Sequence, residues 1–311
     1  MVGPRCFDDA IFELEGRSAA PGENAMRKRL GFGDKPEGFD AYDTSAIVVM
    51  PVPYDGTSTW QKGADRGPAA IIEASNAMYL YDIDTDSEVY RKGIHTDTPV
   101  TEKSSPEAMV EAVHSRAARH LDAGKFLVTI GGEHSVTVGA VRAHAERHPG
   151  LSVIQIDAHA DLQDEFNGSR FNHACVMARV RETCPVVQVG IRALDAYERG
   201  VADEGRVFYA EEIQGGREWI DCAVSLLSDT VYVTIDLDGF DTSIMQATGT
   251  PEPGGLLWYD VIELLKKVAS TRRVVGFDVV ELCPNEYNRQ CDYLAAKLIY
   301  RLLSFVFREG K

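Results

Sequence analysis

Ser152-Val153-Ile154-Gln155-Ile156-Asp157-Ala158-His159-Ala160-Asp161 decides how this chain of 311 residues is read. A short apolar run that reads as a strand passes directly into three ionisable residues spaced two apart. In an extended chain positions i, i+2 and i+4 point to one side, so Asp157, His159 and Asp161 are expected to converge where the strand ends. Unpaired charge at a buried strand end is costly, so the cluster calls for a cation, or on the plainer view for a salt bridge or a cap.

Working outward, similar apolar runs alternate with segments of helical period, the signature of βα units and a mainly parallel sheet. Strands are expected at 46–52, 126–130, 152–156, 186–189, 207–209, 231–235 and 274–277. Helices are expected near 68–80, 106–123, 135–147, 173–183, 211–228, 259–270 and 292–307. The runs at 126–130 and 231–235 read as apolar on both faces, as central strands covered by helices do. Residues 1–43 read as an N-terminal arm with one helical stretch from Ala10 to Leu14, and 44–311 as a single catalytic domain of three layers. In such sheets ligands collect beyond the carboxyl ends of the strands.

Two further strand ends carry chemistry. Thr234-Ile235-Asp236-Leu237-Asp238 delivers two carboxylates, an arrangement that also occurs in phosphoryl-transfer enzymes and at helix caps. Gly131-Gly132-Glu133-His134-Ser135 offers a tight turn, an imidazole over the sheet and a serine able to cap the next helix. Taken alone His134 would read as a structural histidine; together the three clusters make a mixed nitrogen and oxygen site suited to manganese or a similar first-row metal. The four aspartates balance the charge of two divalent ions.

Composition narrows the partners. With 32 Lys and Arg against 48 Asp and Glu, the formal charge of −16 argues against nucleic acid and suits a small cation, although solubility alone explains many of the carboxylates. The six cysteines form no Cys-x-x-Cys pair and read as small buried residues in a reducing compartment. No start resembles a signal peptide and no run is long enough to span a membrane, so the expected location is the cytoplasm.

These motifs resemble those of the ureohydrolase (arginase/agmatinase) family, and the resemblance extends over Pro53-Tyr54-Asp55-Gly56-Thr57, Gly67-Pro68 and Gly249-Thr250-Pro251-Glu252-Pro253-Gly254-Gly255. The last run is more similar to agmatinases than to arginases. The resemblance implies a three-layer α/β/α sandwich with about eight strands, the eighth near 93–95, and a homotrimer or homohexamer. It implies two Mn2+ per subunit, one held by His134 and Asp161, the other by His159 and Asp238, with Asp157 and Asp236 bridging. It also implies hydrolysis of a guanidino substrate to urea and an amine, most similar to agmatine giving putrescine, by a water activated between the metals. Asp161 would pass the proton to the leaving amine, His173 would shuttle protons or touch substrate, and Glu281 would pair with the guanidinium, with Asp278 only in support. Asp55, Asp164 and Asp241 are expected to cap or support.

The loops at 58–63, 239–247 and 284–290 depart from the agmatinase pattern, and Ala174 stands where a glycine is usual. The substrate tail is therefore open between agmatine, aminopropylagmatine, arginine, a guanidino acid and guanidine. An inactive metal-binding oligomer and a two-metal phosphatase are the alternatives from other classes.

Overall fold

Eight strands form one all-parallel sheet in the computed structural model, which describes residues 31–308. In chain order they are β1 (Ile47–Val52), β2 (Ile94–Thr96), β3 (Phe126–Gly131), β4 (Ser152–Ile156), β5 (Val186–Ile191), β6 (Val207–Tyr209), β7 (Thr230–Asp236) and β8 (Arg273–Val280). The helices are α1 (Gly67–Ser75), α2 (Pro106–Asp122), α3 (Val136–Arg147), α4 (Val176–Val180), α5 (Ala196–Val201), α6 (Glu218–Ser225), α7 (Trp258–Thr271) and α8 (Gln290–Val306). The eighth strand is β2, at the edge, where it pairs with β1.

Alternation along each strand sorts the core into two layers. Ile47 and Val49 of β1 join the side chains of α1, α6, α7 and α8 on one face. Val48 and Met50 join those of α2, α3 and α4 on the other. Period-two patterning with both faces apolar is what burial between helix layers requires.

The sheet order is β2-β1-β3-β8-β7-β4-β5-β6. The chain leaves β3, skips two strand positions to β4, builds outward to β6, and then returns to fill the gap with β7 and β8. Strands β3, β8, β7 and β4 are thus consecutive in the middle of the sheet, and their carboxyl ends flank a topological switch point.

Several expected boundaries shift. The helix expected to 80 stops at Ser75, where the Asn76 side chain donates to the Ile72 carbonyl at 2.7 Å. The span 173–183 divides into a 3-10 turn at His173–Cys175 and the short α4. Of 211–228 only α6 is helical, because Gly215 turns the preceding chain with φ 82°. Helix α5 was not expected; six residues carry too little periodicity, and it is held by a capping box between Asp195 and Glu198. Ser135 does not cap α3: its hydroxyl donates to Glu133 Oε1 at 2.7 Å instead. Of the cysteines, Cys175, Cys184, Cys283 and Cys291 are buried as expected, but Cys222 is exposed. Cys6 and the Ala10–Leu14 stretch lie outside the described residues. The described part of the arm packs along β2, with the Phe32 amide donating to Thr96 Oγ1 at 2.8 Å and Ile94 N to the Phe39 carbonyl at 2.8 Å.

Candidate active site

The three sequence clusters and Glu281 meet beyond the four central strands. Asp236 is the last residue of β7, Asp157 follows β4, His134 lies between β3 and α3, and Glu281 follows β8. His134 Nδ1 stands 3.0 Å from Asp157 Oδ2, 3.0 Å from Asp161 Oδ2 and 3.3 Å from Asp236 Oδ2. His159 Nδ1 stands 3.0 Å from Asp238 Oδ2 and 3.7 Å from Asp157 Oδ1. Two groups of metal-compatible donors result, His134-Asp157-Asp236 and Asp157-His159-Asp238, and Asp157 belongs to both. Asp161 faces the His134 group.

The strand-extension argument holds for only part of this convergence. β4 ends at Ile156, and Asp161 comes into place through a left-handed backbone with φ 54°. Glu281 has φ 65°. Non-glycine residues in this region are strained, by about 1–3 kcal/mol each, and tend to occur where side-chain aim matters more than backbone comfort.

Electrostatics test whether a cation fits. Burial, then the charges of Asp238 and Asp157, push the Asp236 carboxyl well above its ordinary range. Burial and the charge of Asp157 push Asp161 up to about 7. Burial opposes charge on His159, but Asp238 and Asp157 outweigh it and lift the imidazole to about 12. Burial likewise opposes a charge on His134, while Asp157, Asp161 and Asp236 raise it well above the usual histidine range. The two histidines, Asp161 and Asp236 are thus all shifted toward their protonated forms, while His134 and His159 outweigh burial and hold Asp157 below its ordinary range. Protons serve the site poorly, since the fully buried His134 Nδ1 makes no hydrogen bond despite three carboxylate oxygens around it. Divalent ions on these imidazole and carboxylate donors would replace the protons, and the donor set fits them.

Glu281 is buried, and its Oε1 accepts from the His134 amide at 2.7 Å. Burial and the charge of Glu133 raise its carboxyl well above the ordinary range, an environment suited to a cationic partner. His173 is held by Thr57. The Thr57 hydroxyl donates to Glu133 Oε1 at 2.6 Å, so at its 3.1 Å contact with His173 Nδ1 it accepts, which places the His173 proton on Nδ1. Burial, then the charges of His159 and Lys62, lower His173 to about 4, so the imidazole is neutral at physiological pH. Glu133 also takes the amides of Thr57 and Ser58 at 2.6 and 2.9 Å and thereby ties the 53–63 loop to β3. Neither Glu133 nor the Thr57 contact was singled out from sequence; the available signal was a buried-looking glutamate beside His134. Asp55, Asp164 and Asp241 lie outside both donor groups. Asp55 accepts from the Gly63 and Ala64 amides, Asp164 pairs with Arg170 and Arg179, and Asp241 accepts from Gly254 and Gly255.

Comparison with known proteins places this geometry. The arginase family profile matches residues 45–304. The chain belongs to the arginase family. It is 39% identical to the N(1)-aminopropylagmatine ureohydrolase of Synechocystis sp., over 86% of this chain and 92% of that protein. It is 32% identical to the agmatinase of Pyrococcus horikoshii, over 84% and 92%. Among solved structures, the agmatine ureohydrolase of Thermoplasma volcanium superposes with a TM-score of 0.79 at 29% identity, covering 86% of this chain and 92% of that one. As a ureohydrolase the chain is an enzyme that hydrolyses a guanidino C–N bond. The family depends on a binuclear metal centre, which the two overlapping donor groups match in number.

The ureohydrolase cavity has a volume of about 340 Å³ and is lined by His159, Asp161, His173, Thr250, Glu252 and Glu281 among others, with no lysine or arginine among the described residues lining it. Arg192 braces its far wall. Its guanidinium donates to the carbonyls of Asp238 at 2.6 Å and Glu252 at 2.8 Å, joining a carboxylate-bearing turn to the 249–255 loop. Beneath the cavity runs a buried polar row of which sequence reading named only Asp278, because each member sits singly in an apolar strand. Thr129, Asp278, Thr234, Gln155 and Gln188 are in register across β3, β8, β7, β4 and β5. The Gln155 amide donates to Asp157 Oδ2 at 2.7 Å and its carbonyl accepts from Gln188 at 2.6 Å.

Proposed function

We propose that this ureohydrolase cleaves a guanidino amine to urea and a free amine, with two Mn2+ bound by His134, Asp157, His159, Asp161, Asp236 and Asp238. One observation carries the reading: Glu281, His173 and both donor groups face a cavity that no lysine or arginine lines among the described residues. The metal pair, when bound, supplies a water of lowered pKa and offsets the carboxylate charge.

The remaining work falls to side chains. Glu281 receives the planar N–H fork of the guanidinium on its carboxylate and so fixes which face of the carbon is attacked. Asp161 holds the attacking water in line and passes its proton to the departing nitrogen. His173, neutral and protonated on Nδ1, presents Nε2 as an acceptor for a substrate or product N–H. The tail that emerges is cationic. Arginine or a guanidino acid needs a lysine or arginine partner for its carboxylate, and none lines the cavity among the described residues.

Agmatine, giving putrescine, is one candidate within this class and would place the chain in polyamine synthesis. Aminopropylagmatine is the other, and it is the substrate named for the relative at 39% identity, against 32% for the agmatinase. Among the described residues no hydrogen bond or ion pair engages the Glu252 carboxylate, which meets Arg192 only through its charge and can still receive an additional ammonium on the longer tail. We favour aminopropylagmatine on these grounds. A cytoplasmic homotrimer or homohexamer that binds neither nucleic acid nor membrane completes the proposal; among the described residues no helix is long and apolar enough to cross a membrane.

The test is urea release by Mn2+-loaded protein from aminopropylagmatine, agmatine, arginine, guanidinobutyrate and guanidine at matched concentrations. The expected order of kcat/KM is aminopropylagmatine, then agmatine, with the others far below. Preference for arginine or a guanidino acid would overturn the cationic-tail reading, and no urea from any of them would overturn the proposal as a whole.

A further inference from the structure

A chain of hydrogen bonds descends from His134 into the sheet. His134 Nε2 lies 2.9 Å from Thr234 Oγ1, and Thr234 donates its hydroxyl proton to Asp278 Oδ1 at 2.7 Å. The other oxygen of Asp278 accepts from the Tyr232 hydroxyl at 2.8 Å. All four residues are buried, with Thr234 and Asp278 register partners on β7 and β8.

Donor arithmetic sets the polarity of this chain. A hydroxyl has one proton. Thr234 spends its proton on Asp278, a carboxylate that accepts at both ends, so toward His134 the same oxygen only accepts. Nε2 must therefore carry hydrogen, and Nδ1, aimed at Asp157, Asp161 and Asp236, is the nitrogen left to donate its lone pair. Were the threonine hydroxyl turned around, the proton would sit on Nδ1 and the donor set on that side would lose its only nitrogen.

We propose that Asp278, acting through Thr234 and anchored by Tyr232, is a positioning residue that fixes the His134 tautomer and so sets affinity for the metal held on the His134 side. Among the described residues no hydrogen bond engages Nε2 of His159, whose Nδ1 faces Asp238 and Asp157. The two metal sites should then respond differently to the same substitution. This inference rests on the metal-centre reading above, and its test reads metal binding rather than urea.

Threonine offers a clean comparison. Thr234→Val keeps the shape and removes the hydroxyl, whereas Thr234→Ser keeps the hydroxyl and removes a methyl group. Mn2+ titration of the metal-free chain, by calorimetry and by competition with a chelator, is expected to show two ions bound by wild type. For Thr234→Val one of the two should weaken about 10- to 100-fold, the range seen for lost partners of metal-bound histidines, and Thr234→Ser should stay near wild type. Asp278→Asn should weaken the same ion at least as much, because an amide can donate to Thr234 and reverse the hydroxyl. Tyr232→Phe should have a smaller effect. Thermal melting of the metal-free variants separates folding from binding: a packing role would make serine the worse of the two threonine variants in both measurements. Equal Mn2+ affinity for valine and serine variants, or equal weakening of both ions, would overturn the proposal. Two tightly bound ions in every variant with no urea formed would instead refute the catalytic reading and the relay together, while a wild type that binds no Mn2+ would refute the metal centre itself.

Discussion

Asp161 and Glu281 occupy left-handed backbone, which residues other than glycine adopt uncommonly and glutamate more rarely than aspartate. At Glu281 the constraint is visible: its amide donates to the Gly132 carbonyl at 2.7 Å and its Oε1 accepts from the His134 amide at 2.7 Å. The side chain is thus aimed by the same turn that carries His134. Glu281→Gln keeps that acceptor but removes the charge. Metal content should remain at the wild-type level while kcat/KM falls by roughly 30- to 1000-fold, about 2–4 kcal/mol for one lost charge partner of a bound cation. Metal analysis beside steady-state kinetics checks this, and loss of metal would show that Glu281 supports the centre rather than the substrate. Asp236→Asn should do the reverse, with metal lost and turnover collapsing while the fold persists by circular dichroism; full activity would refute its role as a ligand.

At the level of elements, the site depends on how closely the 53–63 loop approaches the end of β3. A Cβ at Gly132 would lie 2.0 Å from the Tyr54 carbonyl oxygen, and that contact is backbone, which cannot rotate away. Gly132→Ala should therefore push the loop off β3. The cost should be about 1–3 kcal/mol in urea denaturation, with a further loss of turnover as Thr57 withdraws from His173. An unchanged denaturation midpoint would show that the loop can shift freely. The pattern Gly131-Gly132-Glu133-His134 made the tight turn legible. What the turn is tight against was not, since Tyr54 lies some eighty positions earlier in the chain.

Across the whole molecule, His144 links the helix layer to the sheet. It sits on α3 beside Gly276, where a Cβ would meet its Nε2 at 2.2 Å, and its ring packs edge-on to Tyr232 with centroids 4.7 Å apart. Burial, against the bond from Nδ1 to the Ala140 carbonyl, lowers His144 to about 4. Because the folded value lies below the unfolded one, the stabilisation is fully present above about pH 6.5 and is lost as pH falls toward about 4, a total of about 3 kcal/mol. Denaturation of the metal-free chain at pH 7.5 and pH 5 should show about 2 kcal/mol of that loss, and His144→Gln should flatten the slope by about that much. Identical slopes for the two proteins would assign the acid sensitivity elsewhere.

Sequence alone determined the parallel α/β class, seven of the eight strands, and the residues that converge at the strand ends. Those signals are local: apolar runs of strand length, helical periods, and ionisable residues where a buried strand stops. Agreement was poorest where the local signal was weak, as in α5, in the 211–217 stretch and at Ser135. Only the tertiary structure decided which strands are neighbours. That choice brought β3, β8, β7 and β4 side by side and aligned Thr234 with Asp278 and Gln155. A single polar residue within an apolar strand looks like noise until its register partners are known. Register between parallel strands is fixed by packing of helices against both faces, a long-range property that no local window contains.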